Sequence, residues 1–561
     1  MKYFKLIICV FLLTISCKDI KNNQSVNQED TSNESVKDSI VVNDSSEKSA
    51  ISEKAFYDFK VLDSKYIDAS VLWEPFNEDL KDFTKSIYNN LKPFILEQDI
   101  PTIQKNIADG KLSYEQLTKF YLYRIRKFDR ENELSLNSII ALNPNVINEA
   151  KQRDKEFLNK MMKPRLFGMP ILLKDNINAS GMPTTAGAVV LENNMAQDAF
   201  IVKRLKENKA LILGKTNLSE WANYFSGKSP NGYSAIGGQT FNPYGRKTMD
   251  TGGSSSGSGV AVAANFCVAA VGSETDGSIL SPSSQNSIVG LKPSIGLLSR
   301  SGIVPISSTL DTPGPMTKNV IDNALMMDAM FGVDKNDSKT IDALLDQGFY
   351  TNKLKNGVLK GKRFGAFKQL MKDTLYVNAI FVLKQLGAEI VELEDKDDDF
   401  EDERRLLNLE MKMDLPKYLS TWADPSVGIT SVQDVIDFNK LDSINRMPYG
   451  QKIFEGIVAD SATQEAYEAI KTALKTESRA ILDTLMNSND LVGILSINNY
   501  HSSFAALAEY PALTVPMGYN SKGKPEGLTF IAPWLQEKFL LQWAYAYEQA
   551  SKMRKLPKDY N

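Results

Sequence analysis

The chain has 561 residues, 42% hydrophobic and 24% charged, a composition well able to bury the core of a soluble enzyme. Its 65 basic and 69 acidic residues leave a net charge of −4, which excludes a polycationic nucleic-acid coat and gives no reason to expect a nucleic-acid partner. Three cysteines (Cys9, Cys17 and Cys267) exclude a disulfide scaffold and a zinc ribbon, and a single histidine, His501, excludes multi-histidine metal sites.

Lys2 and Lys5 precede an apolar run over residues 6–15. A membrane-spanning helix needs about 20 apolar residues, so the run reads as a signal peptide. It ends in Thr14-Ile15-Ser16-Cys17, which is similar to the bacterial lipobox, with Thr14 where leucine is usual. That implies a lipoprotein signal over residues 1–16, Cys17 lipidated as the mature N-terminus, and attachment to a membrane of the cell envelope. Residues 17–54 are mostly Ser, Asn, Asp, Lys, Glu and Gln, too polar to offset their ordering entropy, and read as a tether. The globular part is expected over residues 55–561.

Within it, Ser113 and Gln116 form a capping box ahead of Leu117, Phe120, Tyr121 and Ile125, which share one helix face. Residues 170–173 (Pro-Ile-Leu-Leu) predict a buried strand ending at Lys174-Asp175. Residues 210–214 predict another, with a helix beginning near Asn217. A small-residue helix over 258–264 precedes a third strand over 266–271. Residues 363–367, a helix to Leu386 and residues 389–393 form a β-α-β unit, with Gly387 at the helix end. The acidic run 394–403 reads as a solvated loop or helix end. Further strands are expected over 491–497, 512–515 and 528–531. Strands alternating with helices over some 450 residues predict an α/β layer fold.

The informative stretch is Thr251-Gly252-Gly253-Ser254-Ser255-Ser256-Gly257-Ser258-Gly259, followed by Gly272-Ser273-Glu274-Thr275-Asp276-Gly277-Ser278. It is not a phosphate loop, because no Gly-Lys-Ser/Thr closes it. Gly253-Ser254-Ser255-Ser256-Gly257 formally fits a nucleophile elbow around Ser255 with His501 downstream, but the preceding residues 241–246 are loop-like where an elbow needs a strand. A plain serine-rich linker conflicts with the apolar helix and strand between the two serine clusters.

The third reading is a paired-serine site with a lysine base, and here the chain resembles the amidase signature family. Five blocks stand in register: Gly168-Met169-Pro170-Ile171-Leu172-Leu173-Lys174-Asp175-Asn176-Ile177, then Gly181-Met182-Pro183-Thr184-Thr185, the two glycine-serine segments with 24 residues from Ser254 to Ser278, Val289-Gly290-Leu291-Lys292-Pro293, and Leu310-Asp311-Thr312-Pro313-Gly314-Pro315. The resemblance runs from about residue 112 to 546 and is thinner over 335–485, the expected variable substrate side. Many members carry Gly-Gly-Ser-Ile-Arg where this chain has Asp276-Gly277-Ser278-Ile279-Leu280. The Glu274–Ser278 form is closest to bacterial peptide amidases.

The resemblance implies a large central mixed twisted sheet flanked by helices on both faces. It also implies Ser278 as nucleophile, Ser254 as proton relay and Lys174 as base, with a cis Gly253–Ser254 peptide bond. The backbone of Thr275, Asp276 and Gly277 would form the oxyanion hole. No metal or organic cofactor is implied. A lysine serves as base only if neutral, which needs its pKa lowered by about 3 units through burial. Ser255 and Ser256 are expected to support the loop, Asp311 to order its turn, His501 to lie at the pocket or surface, and Cys267 to be inert. The expected reaction is hydrolysis of a C-terminal peptide amide or similar small amide. The alternatives are an esterase or fatty-amide hydrolase of the same family, and an inactive binding lipoprotein.

Overall fold

The computed structural model describes residues 59–561 except 131, 160–162, 343–344, 347 and 396–399. The expected signal peptide, Cys17 and the whole tether region lie outside the described residues. Thirteen strands occur among the described residues. They are β1 (Ile139–Leu142), β2 (Pro170–Lys174), β3 (Leu211–Thr216), β4 (Tyr233–Ser234), β5 (Gly238–Gln239), β6 (Ala269–Glu274), β7 (Val289–Lys292), β8 (Thr312–Thr317), β9 (Arg363–Phe367), β10 (Glu389–Leu393), β11 (Gly493–Ile497), β12 (Ala512–Tyr519) and β13 (Pro525–Ile531). Eleven form one sheet in the order β1-β3-β2-β6-β8-β7-β12-β13-β11-β9-β10, and β4 and β5 form a separate ribbon. The large sheet is mixed. β3, β2 and β6 run parallel near one end, β11, β9 and β10 run parallel at the other, and the middle is antiparallel.

Helices flank this sheet. The capping box at Ser113 opens α1 (Tyr114–Phe128), with both reciprocal hydrogen bonds formed. The small-residue helix is α2 (Ser256–Ala263), buried on every side. Its small side chains allow the close approach: a Cβ at Gly257 would stand 2.4 Å from the Asn217 carbonyl oxygen. A short helix α3 (Leu280–Gln285) begins two residues after Ser278. The β-α-β unit holds, with α4 (Thr374–Gln385) between the parallel pair β9 and β10 and Gly387 at φ +90°. The acidic run leads into α5 (Glu403–Thr421), and α6 (Gln464–Ser488) lies beyond it.

Two expectations need correction. No α-helix begins at Asn217. Its side chain donates to the Gly238 carbonyl and to Thr240 Oγ1, and the chain enters a tight turn in which Trp221, Ala222 and Asn223 all have positive φ. The third strand begins at Ala269 rather than residue 266, because Asn265 turns the chain at φ +57°. β8 was hidden by Pro313 and Pro315, which lack the donor a central strand needs. It is tolerated because its pairing with β7 covers only Met316 and Thr317.

This topology sets the site. In parallel strands the carboxyl ends share one edge, where ligand sites form. Lys174 ends β2 and Glu274 ends β6, its parallel neighbour, so residues 174 and 275–278 emerge side by side.

Candidate active site

Lys174 is fully buried. Its Nζ stands 2.8 Å from Ser254 Oγ, 3.0 Å from the Ser273 carbonyl oxygen and 2.9 Å from Ser273 Oγ. No carboxylate pairs with it among the described residues. The adjacent Asp175 pairs instead with a second buried lysine, Lys215, at 2.7 Å. Asp175 also accepts the Thr185 N–H, and Lys215 also donates to Thr184 Oγ1. Two lysines in one apolar region thus meet different fates. Burial lowers the pKa of both, but Asp175 directly opposes that effect at Lys215. Lys174 is pushed down to about 7 by burial, opposed only by the more distant charges of Asp311 and Glu274. A neutral amine there can donate to both Ser273 oxygens and offer its lone pair to the Ser254 hydroxyl.

Ser254 is fully buried and follows a cis peptide bond from Gly253. Its carbonyl accepts the Ser219 N–H at 3.0 Å. The next residue connects the two serine segments: Ser255 N–H donates to the Ser278 carbonyl at 3.2 Å. Ser278 lies after β6 and is 8% exposed. Lys174, Ser254 and the Ser278 segment, far apart in sequence, are brought to one place.

The turn before Ser278 has an unusual property. The N–H groups of Asp276, Gly277 and Ser278 find no acceptor among the described residues. Gly277 has φ +72°, and a Cβ there would meet Asn499 Nδ2 at 2.9 Å. Asp276 Oδ2 accepts the Ser503 hydroxyl at 2.8 Å. Thr275 Oγ1 donates to Asp311 Oδ1 at 2.6 Å. Asp311 orders its own turn through the N–H groups of Ile306 and Ser307, as expected.

The elbow reading fails on geometry. Ser255 Oγ donates to the Ser273 carbonyl and accepts the Ser273 N–H, so it fastens the loop. Ser256 Oγ does likewise with the Gly252 carbonyl. His501 is a core residue rather than a pocket or surface one. Its ring stacks on Phe367 at 4.3 Å, Nδ1 pairs with Ser496 Oγ, and burial pulls its pKa down to about 4. Cys267 is buried, with its thiol pushed up to about 12 by burial, which leaves no reactive thiolate at neutral pH.

A cavity of about 410 Å³ opens beside these groups. Asn176, Ser273 and Thr275 line it on the β2–β6 side. Tyr418, Trp422 and Tyr467 line it from the variable segment. Sequence reasoning missed Ser273 and Asn176. Asn176 Nδ2 donates to Ser273 Oγ at 2.8 Å and so holds an acceptor of Lys174 in place. Ser273 sits within a quoted block, but nothing in the sequence told that both its oxygens face the amine. Among the described residues no group of three or more His, Cys, Asp or Glu side chains could hold a metal ion, and no helix is long and apolar enough to cross a membrane.

The mixed α/β sheet brings a buried lysine, paired with no carboxylate among the described residues, to within 2.8 Å of a serine hydroxyl. The amidase family profile matches residues 116–493. A probable amidase of Arabidopsis thaliana is 37% identical over 478 residues, covering 83% of this chain and 92% of its own. An amidase family protein of Bacillus anthracis has a TM-score of 0.83 at 38% identity, covering 89% of this chain and all of its own. The peptide amidase of Stenotrophomonas maltophilia has a TM-score of 0.78 at 38% identity, covering 82% of this chain and 98% of its own. The chain belongs to the amidase signature family, and it is a hydrolase acting on amides.

Proposed function

We propose that the protein hydrolyses a C-terminal peptide amide or a similar small carboxamide through an acyl-enzyme on Ser278. Ser278 Oγ attacks the carbonyl carbon. Its proton passes to Ser254 Oγ as the Ser254 proton passes to Lys174 Nζ. The N–H groups of the 275–278 turn stabilise the oxyanion, with Thr275, Asp276 and Gly277 as the expected donors. The relay returns the proton to the departing nitrogen, the C–N bond breaks, and water then cleaves the ester by the same route. The observation that carries this reading is Lys174 Nζ at 2.8 Å from Ser254 Oγ with no carboxylate paired to it among the described residues. The peptide-amide choice is supported by the Stenotrophomonas maltophilia peptide amidase. The membrane anchor through Cys17, with residues 1–16 as its signal, is part of the same proposal and would place the enzyme at the cell envelope.

The test is fluorophosphonate labelling of the body without residues 1–50, followed by ammonia release from blocked dipeptide amides, matched methyl esters and long-chain amides. Labelling should vanish in Ser278→Ala, fall sharply in Lys174→Ala, and survive in Ser255→Ala and His501→Ala. Loss in His501→Ala with retention in Lys174→Ala would refute the relay. Faster ester or fatty-amide turnover would select those substrates instead. Absence of wild-type labelling and turnover would favour an inactive binding protein.

A further inference from the structure

Glu274 is fully buried at the end of β6, and the relay described above does not use it. Its side chain folds under the turn it precedes. Oε2 accepts the Ile279 N–H at 2.5 Å and the Leu280 N–H at 2.9 Å. These are the two residues directly after Ser278. Farther along, the Gly277 carbonyl accepts the Ser281 N–H at 2.7 Å. Residues 274–280 are thus closed into a ring by one carboxylate, and the N–H groups of residues 276–278, which belong to it, have no acceptor among the described residues. Closing the ring removes freedom that a turn containing Gly277 would otherwise have.

The other carboxylate oxygen, Oε1, is buried without a partner among the described residues. Such a group calls for an explanation. A second buried ionisable group stands at the end of β7, across β8 from β6 in the sheet. Lys292 is fully buried there, and among the described residues its Nζ makes one hydrogen bond, to the Pro293 carbonyl at 3.3 Å. Burial pushes the Glu274 carboxyl up, and Lys292 is the main influence drawing it back. Burial pulls Lys292 down to about 8, and Glu274 is the main influence opposing that.

We propose that Glu274 and Lys292 form a buried charge couple that holds the 275–278 turn in the geometry the oxyanion requires, which makes them positioning residues. The proposal rests on the reading of Ser278 as nucleophile. Removing one member of a buried couple leaves the other uncompensated, whereas removing both is far milder. Glu274→Gln should therefore lower kcat at least 50-fold on a blocked dipeptide amide with KM within threefold. Its affinity for the corresponding peptide aldehyde, which forms a tetrahedral adduct, should fall in parallel. Affinity for the peptide alcohol, which forms none, should not change. Lys292→Met should lower kcat at least tenfold, and the double variant should exceed Glu274→Gln at least tenfold.

Unchanged kcat in Glu274→Gln, or a double variant whose loss is the product of the single losses, would overturn the couple. Equal loss of aldehyde and alcohol affinity would overturn it as well. If Glu274→Gln does not fold, unchanged kcat and aldehyde affinity in Lys292→Met overturn it. Wild-type labelling that survives Ser278→Ala would instead remove the nucleophile assignment, and the couple's role with it.

Discussion

Replacing Lys174 with methionine isolates the cost of keeping an amine in an apolar site. The side chains are of similar length, so the cavity stays filled while the titration disappears. In the folded protein the Lys174 pKa is about 7, against an ordinary 10.5. At roughly 1.4 kcal/mol per tenfold change in proton affinity, the difference amounts to about 5 kcal/mol. The sign follows from proton counts. Between about pH 7 and 10.5 the unfolded chain carries the Lys174 proton and the folded chain does not, so stability rises with pH across that window. The cost is fully present below pH 7 and fades toward pH 10.5.

Lys174→Met has no such dependence. Its stability relative to wild type should therefore grow by about 4 kcal/mol as the pH falls from 10 to 6.5. The hydrogen bonds lost at Ser254 and Ser273 shift that difference by a constant and leave its slope untouched. The assay is urea unfolding of both proteins at intervals across that range, with pH-rate profiles of the wild type alongside. The wild-type rate should rise through an acidic limb near pH 7 and level above it, because only the neutral amine can take a proton. A stability difference that does not change with pH would mean that Lys174 keeps its charge when folded, and the base assignment would then fail.

Ser278→Ala should abolish turnover, and Ser254→Ala should lower kcat by 10²–10⁴-fold, the usual scale of general acid–base assistance, measured as ammonia release. Lys215→Met leaves Asp175 buried without its partner and should cost about 3–5 kcal/mol in urea unfolding. A loss below 1 kcal/mol would show that the pair is not held charged. Thr275→Val removes the hydroxyl that donates to Asp311 and should cost about 1–3 kcal/mol, with a lowered kcat because the 306–311 turn then detaches from the oxyanion segment. An unchanged melting curve and rate would contradict that tie.

The sequence by itself determined those features whose cause is local. The capping box at Ser113, the β-α-β unit with Gly387 at its helix end and the buried strand leading to Lys174 follow from periodicity, caps and apolar runs, and each stands where expected. The motif blocks, through family resemblance, named Lys174 and Ser254 as partners although 80 residues separate them. Tertiary structure decided what depends on contacts that no local pattern encodes. β8 joins the sheet despite its prolines because β6 pairs along its whole length while β7 leaves both proline positions uncovered. The turn after Asn217 replaces a helix because that side chain bonds to Gly238 of β5, 21 residues on. Which of two buried lysines gains a carboxylate partner depends on where Asp175 points, and it points to Lys215. A proton affinity is a property of surroundings, and the surroundings of Lys174 are assembled only when β2 and β6 lie side by side.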